Sequence, residues 1–339
     1  MNQVPSISII MPIYNAEDTV DAAVAAICEQ SMQDFELLLI DDGSTDSSAE
    51  HCRRLAEQDQ RLRLIRQENA GICAARNRGI EEARGEYLTF CDDDDTLLPD
   101  ALRTMLVAAR RERADLVRTG YRILRQQPDG SYRELPHPEG TRCVLSRAHK
   151  VYGTFLRQSG PQFIWNALYR REAVSGVRFD PRCRYGLEDF IYNAAVYQVI
   201  RSAVYLPEVT YLHYEHTDST SLQLEQSAVE ERITALTLWV EAEWEALSQW
   251  QKGDASVWAE RQTQFVTFLM HQLRDSSAPS ALRHKAWETL RQTLERYPGQ
   301  RLDFLRLARQ NKKQMIALML YKMHWQGLYR LLPDKEGEQ

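Results

Sequence analysis

Four aspartates in a row, Asp92-Asp93-Asp94-Asp95, close the apolar stretch Tyr87 to Cys91. Like charges this close repel and raise one another's pKa, and a cation removes that penalty. Hard oxygen ligands favour magnesium, manganese or calcium, and a metal on one or two carboxylates leaves positions for substrate phosphates. The run reads equally well as a solvated loop with helix-capping aspartates. Asp41-Asp42-Gly43-Ser44 also ends an apolar run. A carboxylate there can accept the N–H of a nucleobase, or it can build a turn. Pro12-Ile13-Tyr14-Asn15 offers a ring for a base to stack on, or a plain loop tyrosine. Glu188-Asp189 opens a helical pattern, either as partner to the helix dipole or as the proton acceptor that an attacking hydroxyl needs. His213 and His216 lack the third ligand and the helical context of a zinc pair. No G-x-G-x-x-G or P-loop motif is present, which excludes the usual dinucleotide and P-loop readings.

These loops need a scaffold that brings them together. Ile7 to Met11, Phe35 to Ile40, Leu62 to Ile65 and Tyr87 to Cys91 are short apolar runs that read as buried strands. Between them, Glu17–Glu29, a segment ending at Gln58 and Gly71–Arg84 carry helical periodicity. Thr45 or Asp46 is placed to cap the middle one. Asp115 to Thr119 reads as a fifth strand. Such alternation predicts a doubly wound, mostly parallel sheet, with ligands at the carboxyl ends of its strands. That rule selects the loops at Tyr14-Asn15, Asp41-Asp42-Gly43 and Asp92–Asp95.

The pattern then changes. Tyr121–Leu124 and Ser131–Leu135 form a hairpin around Pro128-Asp129-Gly130. Helices follow at Arg147–Gln158 and Glu188–Val199, with strands at Val204–Leu206 and Thr210–Tyr214. From about Glu225 the chain is nearly all helical in pattern. Three regions result: 1–120 for the nucleotide, 121–222 for an acceptor, and a helical 223–339.

The 339 residues carry a net charge of −6, which argues against a nucleic-acid binder. Hydrophobic residues at 43% supply a core. The six cysteines form no C-x-x-C pair and suit a reducing compartment. Without a signal-peptide pattern at the start or an apolar membrane span, the expected location is cytoplasmic. The segment 301–332 mixes Lys and Arg with apolar residues. It reads as a peripheral membrane helix, as a face packed on the domain, or as a homodimer surface.

Four ordered stretches resemble the family 2 glycosyltransferases: Ile7 to Glu17, Phe35 to Asp46, Asn69 to Gly79 and Gly85 to Asp95. The resemblance is dense over residues 5–105 and implies a GT-A type α/β fold with a helical C-terminal extension. It implies inverting transfer from a UDP-sugar to a glycan or lipid-linked glycan of the cell surface, such as lipopolysaccharide, capsule or exopolysaccharide, assisted by Mn2+ or Mg2+. It places Pro12, Tyr14, Asn15, Glu17, Asp41, Asp42 and Arg76 at the nucleotide sugar, with Asp42 on the base. Asp92 and Asp94 become the D-x-D metal pair, Asp93 a ribose contact, and Asp95 a support of the loop or a helix cap. Trp165-Asn166-Ala167-Leu168-Tyr169-Arg170 resembles the family's W-N-K-L-Y-R segment, with Ala167 in place of lysine. Trp165 then packs on the sugar or acceptor, or else lies in the core. Glu188-Asp189 resembles the acidic motif of the catalytic base, and Asp189 is the first choice. Tyr211 to Ser221 resembles the closing segment, with Glu215 in place of arginine and His213 or His216 near metal or phosphate. Two other readings remain: a nucleotidyltransferase, and a non-catalytic sugar-nucleotide-binding protein.

Overall fold

The computed structural model describes residues 4–136, 140–146, 163–184, 186–216, 226–250, 261–262, 264–269, 273 and 279–296. The chain forms two compact units, Met1–Arg184 with Glu188–Ser219, and Tyr185–Leu187 with Thr220–Gln339.

In the first unit, β1 (Ile7–Ile13) and β2 (Phe35–Asp41) are buried along their whole length. Strands covered on both faces read as unbroken apolar runs, which is why these two were visible in the sequence. With β3 (Leu62–Arg66) and β4 (Tyr87–Phe90) they make a parallel array in the order β3-β2-β1-β4. Helices α1 (Val20–Cys28), α2 (Ser48–Gln58) and α3 (Ile72–Glu82) connect them. Helix α1 buries Val20, Ala23, Val24 and Ile27, the face its periodicity predicts. It begins after Thr19 rather than at Glu17. Helix α2 has Ser47 at its N-cap, and Asp46 accepts the Ser48 N–H at 3.0 Å from one position earlier. Helix α3 lies very close to β1: a Cβ on Gly79 would stand 2.3 Å from Ile10 Cγ2. Only glycine permits that approach.

Beyond β4 the sheet becomes mixed. The further elements are β5 (Thr96–Leu97), α4 (Ala101–Glu112), β6 (Leu116–Gln126), β7 (Tyr132–Glu134), β8 (Cys143–Leu145), β9 (Ala167–Arg170), α5 (Glu188–Val199) and β10 (Ala203–Glu215). Strand β9 runs antiparallel between β4 and β6, and β10 is parallel to β6. The strand order is β3-β2-β1-β4-β9-β6-β10-β5, with β7 on β6 and β8 on β10. The strands expected at Asp115–Thr119 and Tyr121–Leu124 are one strand, β6. Those expected at Val204–Leu206 and Thr210–Tyr214 are likewise one strand, β10. Irregular register between Tyr205 and Tyr211 bends it. The hairpin turn forms as predicted, with Gly130 at φ +82. Strands β5, β8 and β9 went unread because each is two to four residues long and carries no alternation. The helix expected at Arg147–Gln158 lies outside the described residues.

In the second unit, α6 (Gln226–Trp250) packs with α7 (Ser280–Arg296). Trp239 sits edge-on to Phe265 at 4.8 Å between ring centres. The fully buried Glu243 accepts the Trp239 indole N–H at 3.1 Å and pairs with Arg261. No helix among the described residues is long and apolar enough to cross a membrane. The segment 301–332 lies outside the described residues.

Candidate active site

Because β2, β1 and β4 are parallel neighbours, their carboxyl ends form one rim. The loops singled out by sequence sit along it. Tyr14 is 51% exposed, with its N–H 3.4 Å from Asp93 Oδ2. Pro12 is buried within β1. Asn15, at φ +53, accepts the Thr45 N–H at 2.9 Å, and Glu17 accepts the Ser47 N–H at 2.9 Å. Those two side chains hold the loop after β2 instead of facing an open site.

Asp41 and Asp42 are likewise tied to the loops around them. Asp41 is fully buried and accepts the Ser44 N–H at 3.0 Å and Arg66 Nε at 2.8 Å. Asp42 is 3% exposed and takes the backbone N–H groups of Ala70 and Gly71, at 3.1 and 2.8 Å, and Gln67 Nε2 at 2.6 Å. These bonds fix the approach to α3, with two donors on Oδ1 and one on Oδ2.

The acidic run divides its labour differently. Asp95, 1% exposed, is the anchor. It accepts the Tyr211 hydroxyl at 2.8 Å, the Tyr214 N–H at 2.8 Å and His213 Nδ1 at 2.9 Å. The Tyr211 hydroxyl also accepts the Asp92 N–H at 3.1 Å, tying both ends of the run to β10. Asp93 and Asp94 gain no comparable support. Burial, then the neighbouring carboxylates, push Asp94 up to about 7 and hold Asp93 well above the usual carboxylate range. Helix α4 begins after Asp100, whose side chain makes no capping bond, and Asp95, with its oxygens on β10, supports the loop.

Arg76 on α3 is 2% exposed and touches three carboxylates. Nη2 reaches Asp92 Oδ1 at 3.0 Å, while Nη1 reaches Glu188 Oε1 at 2.9 Å and Asp189 Oδ1 at 3.2 Å. Both terminal nitrogens are turned to carboxylates, while Nε is buried with no hydrogen-bond partner among the described residues. Asp189 Oδ2 accepts the Ile164 N–H at 3.2 Å. Burial raises the Asp189 carboxyl to about 8; Arg76 opposes that shift, and Glu188 and Asp92 reinforce it. Glu188 Oε2 is buried with no hydrogen-bond partner among the described residues. The pair follows Leu187, whose φ of +69 is unusual for a bulky residue and stores about 1–3 kcal/mol.

Trp165 is 3% exposed and stacks on Phe163 and on Tyr211, each at 4.5 Å. With its ring enclosed, it has no face for a sugar and belongs to the core. His213 stacks on the same indole at 5.3 Å. Burial disfavours its imidazolium, but the bond to Asp95 and the acidic run push it up to about 9. The bond to Asp95 runs through Nδ1, so Nε2 is the ring nitrogen that a metal or phosphate would meet, with the carboxylate orienting the ring. His216 Nε2 stands 3.6 Å from Asp94 Oδ2, and Nδ1 lies 3.1 Å from the Tyr132 hydroxyl. Among the described residues, no group of three or more His, Cys, Asp or Glu is assembled to hold a metal. The hard oxygens of Asp92 and Asp94, strained by mutual repulsion, still suit a cation that shares its remaining positions with phosphates and water.

Several contributors escaped sequence reading. Tyr211 and the Ile164 N–H reach the acidic residues from distant strands and loops. Arg118, 2% exposed, binds the Tyr197 hydroxyl, Asn193 Oδ1, Asn166 Oδ1 and the Phe163 carbonyl. It thereby joins β6 and α5 to the segment carrying Ile164. Their one signal is the two-residue spacing of Tyr211 and His213 on β10, which puts both rings on one face.

Residues 8–176 match the family model described as glycosyl transferase family 2. An uncharacterized glycosyltransferase of Haemophilus influenzae is 30% identical over 237 residues, covering 69% of this chain and 86% of the relative. The uncharacterized glycosyltransferase EpsJ of Bacillus subtilis is 29% identical over 240 residues, covering 68% of this chain and 67% of the relative. Among solved structures, S. aureus TarS 1–349 in complex with UDP-GlcNAc superposes with a TM-score of 0.68 at 16% identity, covering 96% of this chain and 89% of TarS.

Proposed function

This chain belongs to the family 2 glycosyltransferases, and from that premise we propose that it moves a sugar from a UDP-sugar to a hydroxyl of a cell-surface glycan or lipid-linked glycan. The carrying observation is the guanidinium of Arg76, which brings Asp92 at the donor rim and Glu188-Asp189 on α5 into one cluster. A D-x-D residue and a proton acceptor held that close suit a displacement between a leaving diphosphate and an attacking hydroxyl. The solved relative's UDP-GlcNAc complex supports a UDP-sugar as donor.

The nucleotide lies along the rim, with the exposed Tyr14 ring as its stacking surface. A divalent cation on Asp92 and Asp94, manganese or magnesium, supplies charge neutralisation for the diphosphate when bound. Asp189 takes the proton of the acceptor hydroxyl as its oxygen attacks the anomeric carbon. The new glycosidic bond forms as the bond to the diphosphate breaks, and UDP leaves. Attack from the face opposite the leaving group inverts the centre. The Ile164 N–H fixes one Asp189 oxygen. Arg76 opposes the rise that burial imposes on Asp189, and so favours the ionised carboxylate that a base requires.

UDP release over a panel of nucleotide sugars, with a glycan acceptor present, tests the reading. Asp189→Ala should abolish acceptor-dependent release while UDP binding persists. Retained turnover at unchanged stability removes Asp189 as the base.

A further inference from the structure

Arg118 on β6 is a buried cation whose bonds among the described residues all go to neutral oxygens. A guanidinium stripped of water is tolerated only where its donors are satisfied. Nε donates to the Tyr197 hydroxyl at 2.9 Å and Nη2 to Asn193 Oδ1 at 2.6 Å. Nη1 donates to Asn166 Oδ1 at 3.1 Å and to the Phe163 carbonyl.

These partners converge on Asp189 from two sides. Asn193 and Tyr197 follow Asp189 at four-residue steps on α5, so all three lie along one face of the helix. On the other side, the Phe163 carbonyl and the Ile164 N–H belong to one peptide group. Such a group is planar and trans, so its oxygen and its hydrogen point in opposite directions. Arg118 Nη1 holds the oxygen, Asn193 Nδ2 reaches the same oxygen at 3.3 Å, and the Ile164 nitrogen at the far end meets Asp189 Oδ2 at 3.2 Å. A charged donor on the carbonyl also polarises the peptide and strengthens its N–H as a donor. Asn166 Nδ2 donates to the Thr119 carbonyl at 2.7 Å, which ties the segment to β6.

We propose that Arg118 is a positioning residue: it clamps the Phe163–Ile164 peptide so that the Ile164 N–H holds the Asp189 carboxylate in line for the acceptor proton. This rests on Asp189 being the base. Without the clamp the peptide plane can turn and the N–H leaves Asp189. Turnover then falls while donor binding stays.

Wild type, Arg118→Met, Arg118→Lys, Asp189→Asn and the two Arg118 variants combined with Asp189→Asn are compared on the full chain, at a temperature where circular dichroism shows each folded. UDP affinity is measured by calorimetry, and kcat and donor KM by UDP release with the UDP-sugar that the panel selects. Arg118→Met should lower kcat by about 100-fold, the scale of a misplaced catalytic group, with donor KM and UDP affinity within about twofold of wild type. Arg118→Lys keeps a cationic donor for the carbonyl and should lose about tenfold. In the Asp189→Asn background, Arg118→Met should change the residual rate by less than about twofold, because its route to the chemistry is gone. An equal loss in both backgrounds makes Arg118 a general support of the fold and overturns the proposal. Full kcat in Arg118→Met, or a KM raised about tenfold with kcat held, also overturns it. If Arg118→Met does not fold, Arg118→Lys decides on the same criterion: its loss of kcat must vanish in the Asp189→Asn background. If Asp189→Asn turns over normally, the base assignment fails. If it is inactive while Arg118→Met keeps full kcat, only the positioning role fails.

Discussion

Two acidic segments end strands that flank β1 on the same rim, and they are used in opposite ways. At Asp41-Asp42, the oxygens are taken up by backbone N–H groups, Gln67 and Arg66. Asp93 and Asp94 are partly covered, and burial with like-charged neighbours raises both. The first pair builds the rim; the second gains no comparable set of donors. Identical residue types at equivalent places in a sheet thus divide between structure and chemistry according to whether donors are supplied.

The sharpest break of that contrast is to neutralise one member of each. Asp94→Asn should lower transfer by about 100- to 1,000-fold, the order of several kcal/mol of lost charge stabilisation. Its melting temperature without metal should equal or exceed wild type, because a repelling charge has gone. A loss of stability would show that Asp94 is structural. Asp42→Ala should behave in reverse. It strands buried donors and should cost about 1–3 kcal/mol of stability per unsatisfied group, read by denaturant titration. An unfolding midpoint equal to wild type would show that its bonds are dispensable.

The smallest expected effect is a slope with pH. Asp94 at about 7, Asp189 at about 8 and His213 at about 9 all lie above their ordinary values. The folded state therefore holds protons that the unfolded state has released. Their contribution is fullest below the unfolded values and is lost as pH rises through 7, 8 and 9. Melting temperature in chelator should fall steadily from pH 5 to pH 9. Added manganese should flatten the fall; a rise with pH would contradict the assigned directions.

Much of this was legible in the sequence because it is local. An apolar run followed by Asp41-Asp42 or Asp92–Asp95 marks a strand end without reference to the rest of the chain. The parallel half, α1 to α3 and the turn at Gly130 were read in that way. What the side chains do at the rim was not legible, since each depends on who arrives from elsewhere. The donors that Ala70 and Gly71 bring to Asp42 come from a loop that the aspartate run itself does not show. Trp165 looked like a sugar platform until Phe163 and Tyr211 covered its ring. Arg76 meets Asp189 across 113 residues of chain. His213 Nδ1 faces Asp95 from 118 residues further along the chain.

The anchor on Asp95 has a consequence for the order in which the protein assembles. Its partners Tyr211, His213 and Tyr214 lie 116, 118 and 119 residues downstream. At synthesis rates of about 5–20 residues per second, the acidic loop waits roughly 6–24 s before the strand that fixes it exists. Helices and parallel strands of the first ninety residues can form during that interval, since their contacts are near in sequence. The catalytic rim is thus the last part of its own sheet to be completed, and a chain halted before residue 211 would have a nearly finished core and an unfastened acidic loop.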